Sequence, residues 1–212
     1  MWQFNEIARH GDKETRRTTF SWVLRVSWSL CLLVFFVIIV TACAPQLKGT
    51  DLGKEHAPDF RLSDERGNLV SLADFRGKVV VLTFLYTVCP DECPLIAAKF
   101  RTAANQLGDA MKQVAYIAVS TDPENDTPVA VQDFLQQHLL DGQMRYLIGT
   151  RAQLEPVWTA YYVGTSSNSS TKSVTHSTRI ILIDKAGNQR INLGSDLIPA
   201  DLVYDVRALL NE

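Results

Sequence analysis

Apolar residues fill positions 79 to 85 (VVVLTFL), broken only by Thr83. A β-branched run of that length suits a strand buried on both faces. Similar runs recur at 114 to 119 and 180 to 183, and 145 to 148 reads as a further short strand opening on Arg145. Between them, apolar residues return at helical spacing. Ile96, Phe100, Ala103 and Leu107 mark one helix, which Gly108 is placed to stop. Val131, Phe134, Leu135 and Leu139 mark a second, with Thr127 or Asp126 as its cap and Pro128 in its first turn. A third spans residues 150 to 162. Thr150 and Gln153 suit a capping box there, while Pro156 pushes the expected regular start toward Glu155. Leu202, Val203, Val206, Leu209 and Leu210 share one face of a last helix that Pro199 opens. Residues 184 to 188 read as a hairpin turn into a strand at 189 to 193.

The order from residue 79 is βαβαβαββα. A parallel sheet with right-handed crossovers, closed by an antiparallel hairpin and a helix, fits it. The expected fold class is α/β: a thioredoxin-like sandwich with a central mixed sheet flanked by helices. Residues 57 to 212 form this domain, which residues 57 to 62 open. A turn at 64 to 67, a short strand at 70 to 72 and a turn at 74 to 78 precede the central strand.

The first quarter of the chain is different. Residues 1 to 25 are polar, with Arg16, Arg17 and Arg25 close to an apolar run. That run, residues 26 to 40, is almost wholly apolar, and the segment 26 to 43 reads as a secretory signal or membrane anchor. Basic residues ahead of it keep the N-terminal segment in the cytoplasm and send the rest across. The expected location is therefore a bacterial inner membrane, with the domain facing the periplasm. Two tethers fit the residues: an uncleaved apolar helix, or a lipid on Cys43, which ends a lipoprotein-like processing box at 40 to 43. Residues 44 to 56 read as a linker without hydrophobic period, with His56 a solvated part of it. The formal charge of −2 on 212 residues, with no basic stripe, argues against nucleic acid as a partner.

The candidate chemistry sits where the central strand hands over to a helix. Cys89 and Cys93 have three residues between them, and each is followed by proline. At i and i+4 the two sulfurs can chelate one soft metal ion or close a disulfide. Asp91 and Glu92 suit the first turn of the helix. Of four cysteines only these two belong to the folded part, since Cys31 lies in the apolar run and Cys43 ends it. His176 lies between a Ser/Thr/Asn loop at 165 to 173 and a buried strand. A thioredoxin-like topology brings that point opposite the cysteine turn. Two thiolates and one imidazole favour Cu(I), with Cu(II) accessible. His138, Trp158 and Tyr161 read as structural.

From Ala57 onward the chain closely resembles the Sco/SenC family of membrane-tethered copper proteins that assist cytochrome c oxidase assembly. The motifs are Ala57-Pro58-Asp59-Phe60, Asp74-Phe75-Arg76-Gly77-Lys78, the stretch from Tyr86 through Cys89-Pro90-Asp91-Glu92-Cys93-Pro94, Ser120-Thr121-Asp122-Pro123 with Asp126-Thr127-Pro128, and Val174-Thr175-His176-Ser177. The resemblance implies that Cys89, Cys93 and His176 are copper ligands. It also implies a metallochaperone delivering copper to the CuA centre, with oxidase subunit II and an upstream periplasmic copper carrier as partners. One residue departs from the family: Thr175 stands where Asp usually precedes the histidine. The alternative is an extracytoplasmic thiol–disulfide oxidoreductase acting on the CuA cysteines or other exported proteins, with Cys89 as attacking thiol and Cys93 as its redox partner. Against it stand the Cys-x-x-x-Cys spacing and a Thr175-His176 pair where thioredoxins present a cis-proline.

Overall fold

A computed structural model describes residues 46–164 and 179–212. The chain divides into two units, Met1–Gln46 and Leu47–Glu212. Residues 1–45 of the first and 165–178 of the second are not described, so the expected anchor at 26–43, Cys31, Cys43, Thr175 and His176 lie outside the described residues.

The strands are β1 Thr50–His56, β2 Arg61–Asp64, β3 Leu69–Ser71, β4 Val79–Leu85, β5 Val114–Ser120, β6 Met144–Ile148, β7 Ile180–Ile183 and β8 Asn188–Leu193. The helices are α1 Glu92–Leu107, α2 Pro128–Gln137, α3 Arg151–Ala160 and α4 Pro199–Leu210. One mixed sheet runs β1-β8-β7-β4-β5-β6-β2-β3. Strands β4, β5 and β6 are parallel, and antiparallel partners extend the sheet on either side. From β4 onward this is the βαβαβαββα order that the hydrophobic pattern predicts.

Every residue of β4 and of β5 is buried, as continuous apolar runs require. Alternate side chains serve opposite faces. Val79, Val81 and Leu85 join a core with Ile96 and Phe100 of α1, Phe134 of α2 and Leu202 and Val206 of α4. Val80, Leu82 and Phe84 join a second core with Leu154, Val157 and Trp158 of α3 and with Phe60 and Leu72 ahead of the sheet centre. Trp158 and Tyr161 are core residues, as expected.

Three expectations are corrected. The linker read at 44 to 56 holds a strand, β1, paired antiparallel with β8, so the domain begins near Leu47 rather than at Ala57. Its sequence shows no hydrophobic alternation because it is an exposed edge strand carrying Lys54 and Glu55. Leu47 just ahead of it packs against the first core, and a polar tie holds its start as well. Fully buried Asp205 of α4 accepts from the backbone N–H groups of Lys48, at 2.7 Å, and Gly49, at 2.9 Å. Gly49 has to be glycine for that approach, because a Cβ there would lie 2.4 Å from Ile191 Cγ2 and 2.9 Å from the carbonyl oxygen of Asn192. Second, α3 begins at Arg151, not near Glu155. Gln153 Oε1 accepts from the amide of Thr150 at 2.8 Å, and that capped first turn carries the helix through Pro156 at the cost of one backbone bond. Third, residues Leu72–Phe75 form a single 3-10 turn boxed by Ser71 and Asp74 instead of an open turn, and the short strand ends at Ser71.

Register fixes which end is which. Leu82 pairs with Ile181, Ile181 with Asn192 and Asn192 with Thr50. The start of β1 therefore shares a sheet edge with the exit of β4. The C-terminal residue Glu212 lies at the far edge, where it meets Arg190 at 2.9 Å. Lys185 of the β7–β8 turn donates there to the carbonyl of Leu210.

Candidate metal centre

Strand β4 delivers the chain into the turn 86–91 at the C-terminal edge of the parallel strands, where open α/β sheets present their sites. The turn closes with the Cys89 amide donating to the Tyr86 carbonyl at 3.4 Å. Helix α1 then starts at Glu92, with Asp91 at the cap position and Glu92 in the first turn, so both acids stand where the helix dipole favours them. Gly108, at φ 56°, ends the helix as expected.

The two predicted cysteines are brought together. The backbone N–H of Cys93 points at Cys89 Sγ, 3.4 Å away. Both are free thiols, Cys89 half-buried and Cys93 buried. Their environments push them apart. Burial raises the Cys89 pKa, but the N–H groups of Cys93 and Asp91 and the Tyr86 hydroxyl outweigh it, and the net shift is down. Burial pushes Cys93 up, and the neighbouring Cys89 and the charge of Asp126 add to that. Cys89 is therefore the thiol ready to ionise. Iodoacetamide at neutral pH should modify Cys89 faster than Cys93 by at least about tenfold, with a rate that rises at lower pH than for an ordinary thiol. Equal labelling on peptide mapping would contradict this assignment.

Two residues, one in the turn and one packed against it, were given no role of their own at the site by the sequence reading. The Tyr86 hydroxyl binds the Cys89 side chain, and burial together with that bond raises the tyrosine pKa. Asp126, read as a candidate helix cap and as part of a family motif, is 3% exposed and accepts at both oxygens. Oδ1 takes the amide and hydroxyl of Thr87, each at 2.7 Å, and Oδ2 takes Ser120 Oγ at 2.6 Å and Tyr146 Oη at 3.1 Å. Burial lifts its pKa while these donors pull it down, with a net rise. Thr127 is the cap of α2, its hydroxyl accepting from Ala130 N at 3.2 Å. The signal was present: two candidate caps stand side by side, and one helix uses one.

Among the described residues, no group of three or more His, Cys, Asp or Glu is disposed to hold a metal. Cys89 and Cys93 stand as a pair, and the predicted third donor, His176, lies outside the described residues. His138 ends α2 against the Phe134 ring, at 4.5 Å between centroids, and burial followed by the charge of Arg101 lowers its pKa. It is structural, as expected. His56 is exposed on β1, 2.8 Å from an Arg76 nitrogen. Among the described residues no helix is long and apolar enough to cross a membrane.

The fold and its paired thiols define a thioredoxin-like protein whose two cysteines sit on the strand-to-helix turn. The model of the SCO1/SenC family matches residues 48–211, and the chain belongs to that family. Similar solved structures include Bradyrhizobium japonicum ScoI with copper bound, at 26% identity and TM-score 0.64, covering 73% of this chain and 99% of that one. Another is apo Sco1 from Thermus thermophilus, at 26% identity and TM-score 0.68, covering 79% and 99%. Protein SenC of Rhodobacter capsulatus is 30% identical over 128 residues, 59% of this chain and 57% of that one. The human mitochondrial SCO2 homolog is 34% identical over 137 residues, 61% of this chain and 50% of that one. The chain thus spans about half the length of the curated relatives it matches.

Proposed function

We propose that this chain is a copper metallochaperone that binds one copper through Cys89, Cys93 and His176 and helps assemble the CuA centre of cytochrome c oxidase. The observation that carries it is the adjacency of Cys89 and Cys93 on the β4–α1 turn, in a family with copper-bound structures. Two thiolates suit copper better than hard cations. The thiols have different tasks: Cys89 offers an anion at once, and Cys93 gives up its proton as the metal arrives. A pair so placed can also close to a disulfide after release, coupling loading to redox state.

The case for His176 rests on topology. Strand β7 starts at Ile180, opposite Thr83, so the chain reaches it from the edge that carries the cysteines. Position 176 stands four residues ahead of that strand in the sequence. The apolar segment at 26 to 43 supports a membrane tether with the domain outside the cytoplasm. Subunit II of the oxidase and an upstream periplasmic copper carrier are the proposed partners.

The full chain in detergent, reduced and titrated with Cu(II), is expected to take one equivalent and to show a thiolate-to-Cu(II) absorption band. In His176→Ala that band is lost while the Cys89–Cys93 disulfide still forms. Retained tight copper binding in the variant would defeat the three-ligand reading. If the parent chain takes up no copper and its disulfide is readily reduced, the oxidoreductase reading replaces this one.

A further inference from the structure

We propose that Asp126 is the positioning residue of the cysteine turn and that its buried charge biases the site toward Cu(II) over Cu(I). The inference rests on the copper reading above and adds to it the residue that sets which oxidation state is held.

The four hydrogen bonds of Asp126 do nothing for its own helix, which Thr127 caps. They gather three other elements at one point. Thr87 lies on the turn just beyond β4, Ser120 ends β5 and Tyr146 lies within β6. Leu85 is tied to the same place by the amide of Thr121, at 2.9 Å, and by its hydroxyl, at 3.2 Å. The turn is therefore pinned to β5 at its first residues, two positions ahead of Cys89. Burying a carboxylate is costly, and apolar side chains would join three strands more cheaply. What apolar residues cannot supply is a directional grip on the Thr87 amide and hydroxyl. Two donors on each oxygen satisfy an ionised carboxylate.

The charge has its own consequence. With both thiols ionised, Cu(I) leaves the pair one unit negative, and Cu(II) brings it to neutrality. A fixed negative charge on the Thr87 amide, two residues ahead of Cys89, favours the ion with the extra positive charge, and it does so more strongly in a buried site than in water.

Two variants of the full chain in detergent separate grip from charge. Asp126→Asn keeps the shape and removes the charge. Thr87→Val keeps the charge and removes the hydroxyl link. In Asp126→Asn the affinity for Cu(II) should fall by about tenfold more than that for Cu(I). Exchange of the Thr87 amide with solvent deuterium should also quicken by about tenfold, as a charge-assisted bond becomes a neutral one. In Thr87→Val both copper affinities should fall alike. An unchanged Cu(II)/Cu(I) ratio in Asp126→Asn overturns the charge assignment, as does a Thr87→Val variant that shifts the ratio equally. Unchanged Thr87 exchange overturns the grip. The exchange arm needs no metal, so a parent chain that binds no copper would end the copper reading and the bias together, while exchange still decides what holds the turn.

Discussion

A Cys93→Ser chain should take up no copper at concentrations that saturate the parent. Cys93 is one of two soft donors on the turn, and a serine hydroxyl is a hard, protonated and weak one. Changes outside a metal's ligands cost ten- to hundredfold in affinity, so loss of a ligand should exceed about a hundredfold. The fold should survive. Serine is smaller than cysteine, and the buried space around position 93 stays closed by Ile96 and Leu85 on the same core face. Loss of copper with an unfolding transition close to the parent's would mark a binding defect. Stoichiometric copper in Cys93→Ser, with a thiolate band of full intensity, would show that Cys93 is not a ligand.

Phe100→Ala should give the opposite pattern, with stability lost first. Phe100 is fully buried on the inner face of α1, its ring 5.0 Å from that of Tyr116 on β5. Removing such a ring from a core costs about 3–5 kcal/mol through lost burial and an unfilled cavity. Against a typical total of about 5–15 kcal/mol, that is a large fraction. The urea midpoint should fall by about 1 M or more. Copper uptake well below that midpoint should persist, because the cysteine turn is held by Asp126 and the end of β5. A shift of less than about 1 kcal/mol would mean that α1 repacks without Phe100. The core carrying the site would then be softer than its burial indicates.

The central sheet was legible because its strands are buried on both faces. Val79 to Leu85 and Val114 to Ser120 have no solvent face, so their sequences carry an apolar signal broken only by Thr83 and the terminal Ser120. The helices were legible from their one-sided spacing, and the site from two cysteines at a strand–helix junction. Strand β1 was hidden because nothing in Thr50–His56 faces a core in alternation, and what fixes its start is Asp205, 156 residues away from Gly49 in the chain. The start of α3 was misplaced because proline in a helix was weighed above a good cap. Asp126 was hidden because a carboxylate beside a helix start reads as a cap, and only the packed strands show that it faces the other way. Cap and anchor are the same residue type, and the difference lies in tertiary partners.

The domain's two chain ends fall at opposite edges of the sheet, and that matters at the bench. Leu47 and the Asp205-bound amides lie at the thiols' own edge, whereas Glu212 lies at the other. The two edges are separated by roughly one strand length, on the order of 20 Å. A histidine-rich purification tag fused directly ahead of residue 47 would begin at the same end of the sheet as Cys89 and Cys93, three strands across from β4, and a flexible tag there can compete with them for the metal being measured. A tag or fluorescent reporter carried after residue 212 starts at the edge away from the thiols and leaves their surroundings open for assay.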